Sequence, residues 1–133
     1  MLERTVIEPE NDKLNVSRNF NLPHSAGIRV GDFIFVSGMV SIDPKTGETK
    51  QGTLTEEATQ ILENMRHLLE ANGSSLKSVV KTTVVVYDML ELQNVDKVFW
   101  KFFPEDPPAR TVCGAKLSNG LKIEIEAIAV AER

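Results

Sequence analysis

Apolar positions along the chain recur at two different periods, and the change from one to the other marks out the elements. Residues 4–8, RTVIE, form a short β-branched run stopped by Pro9, which predicts an edge strand. The polar, proline-containing stretch 11–25 predicts a long connection. Residues 26–43, AGIRVGDFIFVSGMVSID, hold two β-rich runs around Gly31-Asp32, a dipeptide able to take the positive φ of a tight turn. A first hairpin is expected there.

Thr53 and Glu56 then have capping-box spacing, and Ala58, Ile61, Leu62, Met65, Leu68 and Leu69 recur at helical steps up to Gly73. This predicts an amphipathic helix of about five turns. Residues 78–87, SVVKTTVVVY, are β-branched and apolar on both sides of their alternation, as in a central strand covered on two faces. Asp88 and Glu91 again have cap spacing, and Leu92, Val95, Val98, Phe99 and Phe102 form one stripe before Pro104, which reads as a second helix with a core-facing side. The end of the chain reads as a hairpin: a strand from about Arg110, a turn at 118–120 and a strand to about Val130.

The order is therefore β, ββ, α, β, α, ββ, and the expected class is α+β, a mixed sheet with two helices on one face. Its opposite face has no cover within one chain, and self-association is the simplest remedy. With 133 residues, 41% of them hydrophobic, there is material for one core, so residues 1–133 are expected to form a single domain.

Charge narrows the function. The formal net charge is -4 and no two Lys or Arg residues are adjacent, so the electrostatic footprint of a nucleic-acid binder is missing. The single cysteine, Cys113, has no disulfide partner and no companions at metal-ligand spacing; a reducing, cytoplasmic setting and a buried, inert thiol are expected. No signal-peptide core or membrane-length apolar run is present, so neither secretion nor membrane spanning is expected. The loop at 43–52 lacks the spacing of a nucleotide fingerprint, and His24 and His67 complete no zinc or triad pattern. His67 reads as a helix-face residue, while His24 stays open.

Three positions carry candidate chemistry. Arg110 follows a stiff Pro107-Pro108 lead-in, and a guanidinium on a rigid strand entry can grip a carboxylate with two parallel hydrogen bonds; the alternative is a surface ion pair. Glu124 could orient or deprotonate a water, although Lys122, Glu124 and Glu126 also fit a solvated strand face. Ser37 and Gly38 end a buried strand, where a missing side chain lets a ligand reach the backbone N–H; the alternative is a bulge.

Taken together, IFVSGM, DPKTGE, VVKTTVVVYDM and PPAR…IEIEAIAV, in this order, resemble the Rid (YjgF-like) family of reactive-intermediate deaminases, over essentially the whole chain from about Pro23. The resemblance implies a chorismate-mutase-like fold, a homotrimer with ligand clefts between subunits, and no cofactor or metal. It implies hydrolysis of reactive enamine/imine acids, such as 2-aminoacrylate and 2-iminobutanoate, to 2-oxo acids and ammonia. Arg110 would pair with the substrate carboxylate, helped by the N–H of Gly38 in the Ser37-Gly38 motif. Glu124 would position the attacking water with a backbone carbonyl around Val112, leaving Glu126 the lesser role.

Two positions depart from the family pattern: His24 stands where it has a tyrosine, and Asp96 where it has an asparagine early in the second helix. Both would line the cleft. His24 would add a titration near neutral pH, and Asp96 would bring negative charge toward an anionic substrate. Two other readings are therefore carried forward, a weak or silent trimer that binds small carboxylates or a protein partner, and an endoribonuclease or translation inhibitor.

Overall fold

The computed structural model describes residues 2–132 and turns the alternating runs into one mixed sheet. Its strands are β1 (Arg4–Ile7), β2 (Gly27–Val30), β3 (Phe33–Met39), β4 (Val79–Val86), β5 (Ala109–Gly114) and β6 (Ile123–Val130), in the order β1-β2-β3-β6-β4-β5. Gly31, at φ 57°, makes the tight turn of the β2–β3 hairpin. β1 lies at one edge, as its short run and Pro9 predict. The connection that follows holds only a 3-10 turn (Asp12–Leu14) and one helical turn, α1 (Val16–Asn19).

The long helix is α2 (Leu54–Ala71), and its predicted cap forms in full. The Thr53 hydroxyl accepts the Glu56 N–H at 3.1 Å, and the Glu56 carboxylate accepts the Thr53 N–H at 2.9 Å. Asp88 caps differently. It accepts the Leu90 N–H at 2.9 Å and so closes a short 3-10 turn (Met89–Glu91), after which α3 (Leu92–Phe102) begins without a side-chain cap.

The C-terminal unit is not a hairpin. β5 pairs with β4 in parallel, while β6 passes between β3 and β4 and is antiparallel to both. The reason is the crossover: α3 carries the chain back to the start of β4, so β5 can only run alongside it in the same direction. The turn at 118–120 exists, with Asn119 and Gly120 at φ 58° and 70°, but it delivers the chain to the other side of β4.

Both main helices cover one face. Ile34, Val36, Val84, Val86, Ile123, Ile125, Ala127 and Ala129 are buried there against Ile61, Leu62, Met65 and Leu69 of α2 and Val95, Val98 and Phe99 of α3. Truncating any of the larger of these to Ala costs roughly 2–5 kcal/mol. The other face differs from the two-sided cover expected of β4: Phe33, Phe35 and Val80 are 50%, 45% and 45% exposed, an apolar surface open in the single chain. Among the described residues no helix is long and apolar enough to cross a membrane.

Candidate active site

Arg110 enters at the second position of β5, directly after Pro107-Pro108. It pairs with Thr82 across the ladder and shares the helix-facing side of the sheet with that buried residue. There the guanidinium lies over the Phe99 ring, 5.0 Å from its centre, and its Nη2 donates to Asp96 Oδ1 at 2.8 Å. The two ends of this ion pair differ in exposure, 26% for the Arg110 side chain and 45% for Asp96. Asp96, Phe99, Trp100, Pro107, Pro108 and Arg110 border a cavity of about 270 Å³. Val112 follows two residues on, half-buried on the same side, opposite Val84.

Glu124 belongs to the opposite face. It pairs with Val85, alternates with the buried Ile123 and Ile125, and is half-buried. Its carboxylate sits against Gly38: a Cβ at position 38 would lie 2.9 Å from Glu124 Oε2 and 3.0 Å from its Cδ. The close approach is possible because β3 and β6 lose register between Val36 and Met39, so both the bulge and the side-chain-free contact are present. The Ser37 hydroxyl is occupied, donating to the Ser25 carbonyl at 2.5 Å. His24 is exposed in the loop before β2 and, with Ser37 and Gly38, lines a cavity of about 90 Å³. Glu126, also on this face, is exposed and borders a neighbouring cleft with Arg4, His24 and Phe35.

The sequence-derived residues therefore fall into two clusters. His24, Ser37, Gly38 and Glu124 meet around the β3 bulge; Asp96, Arg110 and Val112 meet at the β5 edge beneath α3. Cys113 contradicts its expected burial. It is exposed on the same face as Glu124, because both flank Val85 from opposite sides. That face of the sheet carries no helix, which explains the exposure, whereas Val112 beside it faces the helices and is half-buried. His67 is an exposed helix-face residue, as expected.

Two relationships escaped the sequence. Asp96 and Arg110 lie 14 residues apart across a crossover, so no helical or strand spacing links them. Lys81, whose Nζ donates to Thr111 Oγ1 at 2.8 Å, likewise meets its partner only through the parallel pairing of β4 and β5. Among the described residues no group of three or more His, Cys, Asp or Glu side chains is placed to hold a metal ion.

A six-stranded mixed sheet backed by two helices, with a guanidinium at one strand edge and a carboxylate pressed against a strand bulge, defines an α+β protein with two polar clusters on one sheet. The chain belongs to the Rid (YjgF-like) family: the family model described as Endoribonuclease L-PSP matches residues 18–131. A RutC family protein of Pyrococcus horikoshii is 41% identical over 111 residues, 83% of this chain and 88% of that protein. The human 2-iminobutanoate/2-iminopropanoate deaminase is 38% identical over 109 residues, 81% of this chain and 80% of the relative. The crystal structure of the YjgF gene product of E. coli superposes with a TM-score of 0.83 at 33% identity, covering 96% of this chain and 99% of that one. At the level of the family, these relatives support deamination of imines and enamines.

Proposed function

We propose that this protein hydrolyses small, carboxylate-bearing enamine/imine acids of the 2-aminoacrylate and 2-iminobutanoate type to 2-oxo acids and ammonia, as a homotrimer with its sites between subunits. The observation that carries the reading is the separation of the two clusters. Arg110 and Glu124 project from opposite faces of one sheet, so a single chain does not bring its own anchor to its own carboxylate. The open apolar face, with Phe33, Phe35 and Val80, supplies a surface over which copies could bury area and join the two halves.

The chemistry follows from the groups present. Arg110 of one copy holds the substrate carboxylate, and Gly38 of the next offers backbone without a side chain in the way. Glu124 takes a proton from water as the water oxygen bonds to the imine carbon. Glu124 returns that proton to nitrogen, then takes the hydroxyl proton as the C=O bond forms and the C–N bond breaks; ammonia and the 2-oxo acid leave, and the carboxyl passes its proton to solvent. An enamine first gains a proton at its β-carbon to become the imine. The acidic balance of the chain supports a small-molecule substrate over RNA.

The test couples the purified protein to an amino-acid dehydratase that makes 2-aminoacrylate or 2-iminobutanoate, with semicarbazide as a trap. Wild type should outcompete the trap and release 2-oxo acid, and Arg110→Ala should not. If neither competes, the silent-binder reading replaces this one.

A further inference from the structure

We infer that Asp96 makes the Arg110 half-site selective for zwitterions, that is, small acids carrying a protonated nitrogen next to their carboxylate, and that it disfavours the purely anionic 2-oxo acid. This rests on the proposed function and deepens it by separating substrate from product.

The geometry supplies both charges side by side. The Arg110–Asp96 bond of 2.8 Å uses one guanidinium nitrogen and one carboxylate oxygen. A guanidinium has five N–H donors in a planar fork and a carboxylate about four lone-pair sites, so each partner keeps capacity for a ligand. The Phe99 ring centre lies 5.0 Å from the guanidinium carbon and occupies that side, leaving the N–H groups turned away from it to a ligand carboxylate. A carboxylate bound there has its own α-nitrogen only two bonds from the carboxyl carbon, on the scale of the Arg110–Asp96 contact itself.

The surroundings suit that second charge. The cavity of about 270 Å³ beside the pair is larger than the ~150 Å³ that holds benzene in an engineered core. Trp100, 61% exposed, borders the same cavity, and its ring face attracts cations. A protonated imine therefore meets Asp96 and Trp100 as attraction, whereas a 2-oxo acid presents a carbonyl oxygen to a negative charge. Hydrolysis converts the favoured ligand into the disfavoured one. Asp96 is thus a specificity-determining residue that speeds product release.

A merely structural Asp96, one that only steadies Arg110, would affect both ligand classes alike. The test measures binding of L-2-aminobutanoate, a stable zwitterion with the carbon skeleton of 2-iminobutanoate, and of 2-oxobutanoate. Calorimetry is run on the full chain as wild type, Asp96→Asn, Asp96→Ser and Arg110→Ala, with melting temperature and oligomer size checked for each. Asp96→Asn should weaken the amino acid about fivefold or more and tighten the oxo acid about fivefold or more, moving their affinity ratio at least about 25-fold. Asp96→Ser should move the ratio in the same direction. Both affinities shifting together, an unchanged ratio, or no preference of wild type for the amino acid overturns the inference alone. Arg110→Ala should abolish both; if it leaves both intact, the parent reading of Arg110 as the anchor fails instead.

Discussion

Arg110 and Glu124 stand on opposite faces of the same sheet. Arg110 is level with Thr82 of β4, and Glu124 with Val85, three residues further along. An odd offset on a strand reverses the side a residue points to. Thr82 is buried under the helices, so Glu124 belongs to the uncovered side.

This relationship makes a complementation prediction. Arg110→Ala and Glu124→Gln should each be inactive alone. If each site takes its arginine from one copy and its glutamate from the next, subunits mixed in equal amounts leave roughly one quarter of sites intact, so about a quarter of wild-type turnover should return. Turnover of the 2-iminobutanoate product stream, measured after co-refolding, reads this directly. No recovery in verified mixed oligomers would place both groups of a site in one chain.

Gly38 is the second test, because its role is spatial. The three atoms nearest to an added Cβ all belong to the Glu124 side chain, at 2.9, 3.0 and 3.3 Å. A half-buried carboxylate can swing aside, so Gly38→Ala should lose about 1 kcal/mol of stability at most, the low end of overpacking. Its turnover should fall on the order of 10²-fold, since a displacement of about 1 Å in a positioned group costs that much. Retained kcat with an unchanged melting curve would remove Glu124 from the chemistry.

Glu57 carries a stability prediction that the sequence did not announce. It lies within the apolar stripe of α2, 1% exposed, and its carboxylate accepts the Gly52 N–H at 3.2 Å and the Lys122 N–H at 2.8 Å, with Lys122 Nζ 3.6 Å away. It therefore ties the start of α2 to the lead-in of β6, two residues before Glu124. Glu57→Ala leaves the half-buried Gly52 and Lys122 N–H groups without their acceptor and should cost about 3 kcal/mol. Glu63→Ala, which removes a half-exposed partner of Arg66 on the same helix, should stay within about 0.5 kcal/mol. Urea midpoints of the two variants decide it, and equal losses would deny Glu57 its anchoring role.

What was legible in the sequence followed from local rules. Period, caps and turn residues located both main helices, the β2–β3 hairpin and the strand carrying Glu124, because each is set by neighbours within about four residues. Strand partners were not legible at the C-terminus. The same alternation suits β5 beside β6 or beside β4, and only the α3 crossover decides between them. Cys113 differs from its expected burial because burial of a strand residue depends on which face is covered, and the helices cover only the other one. At the site, Asp96 showed as a charge but not as the partner of Arg110, because that contact exists only once β5 has docked beneath α3.

Acid should loosen the fold through two carboxylates far from the proposed chemistry. Glu132 accepts hydrogen bonds from the Ser75 hydroxyl and, at 2.7 Å, from Ser78, and these hold its carboxyl below the ordinary value of 4.5. The Thr53 backbone N–H, followed by its hydroxyl, does the same for Glu56. A carboxyl group lowered in the folded state binds its proton more readily when unfolded. Its contribution is therefore complete above about pH 4.5 and is lost as pH falls through the lowered folded value. Replacing Ser75 and Ser78 by Ala should reduce the urea midpoint at pH 6; the gap from wild type should hold down to about pH 4.5 and narrow below it, as Glu132 takes up its proton in the folded wild type. A gap that stays constant across that range would mean the serines act through packing and not through the charge on Glu132.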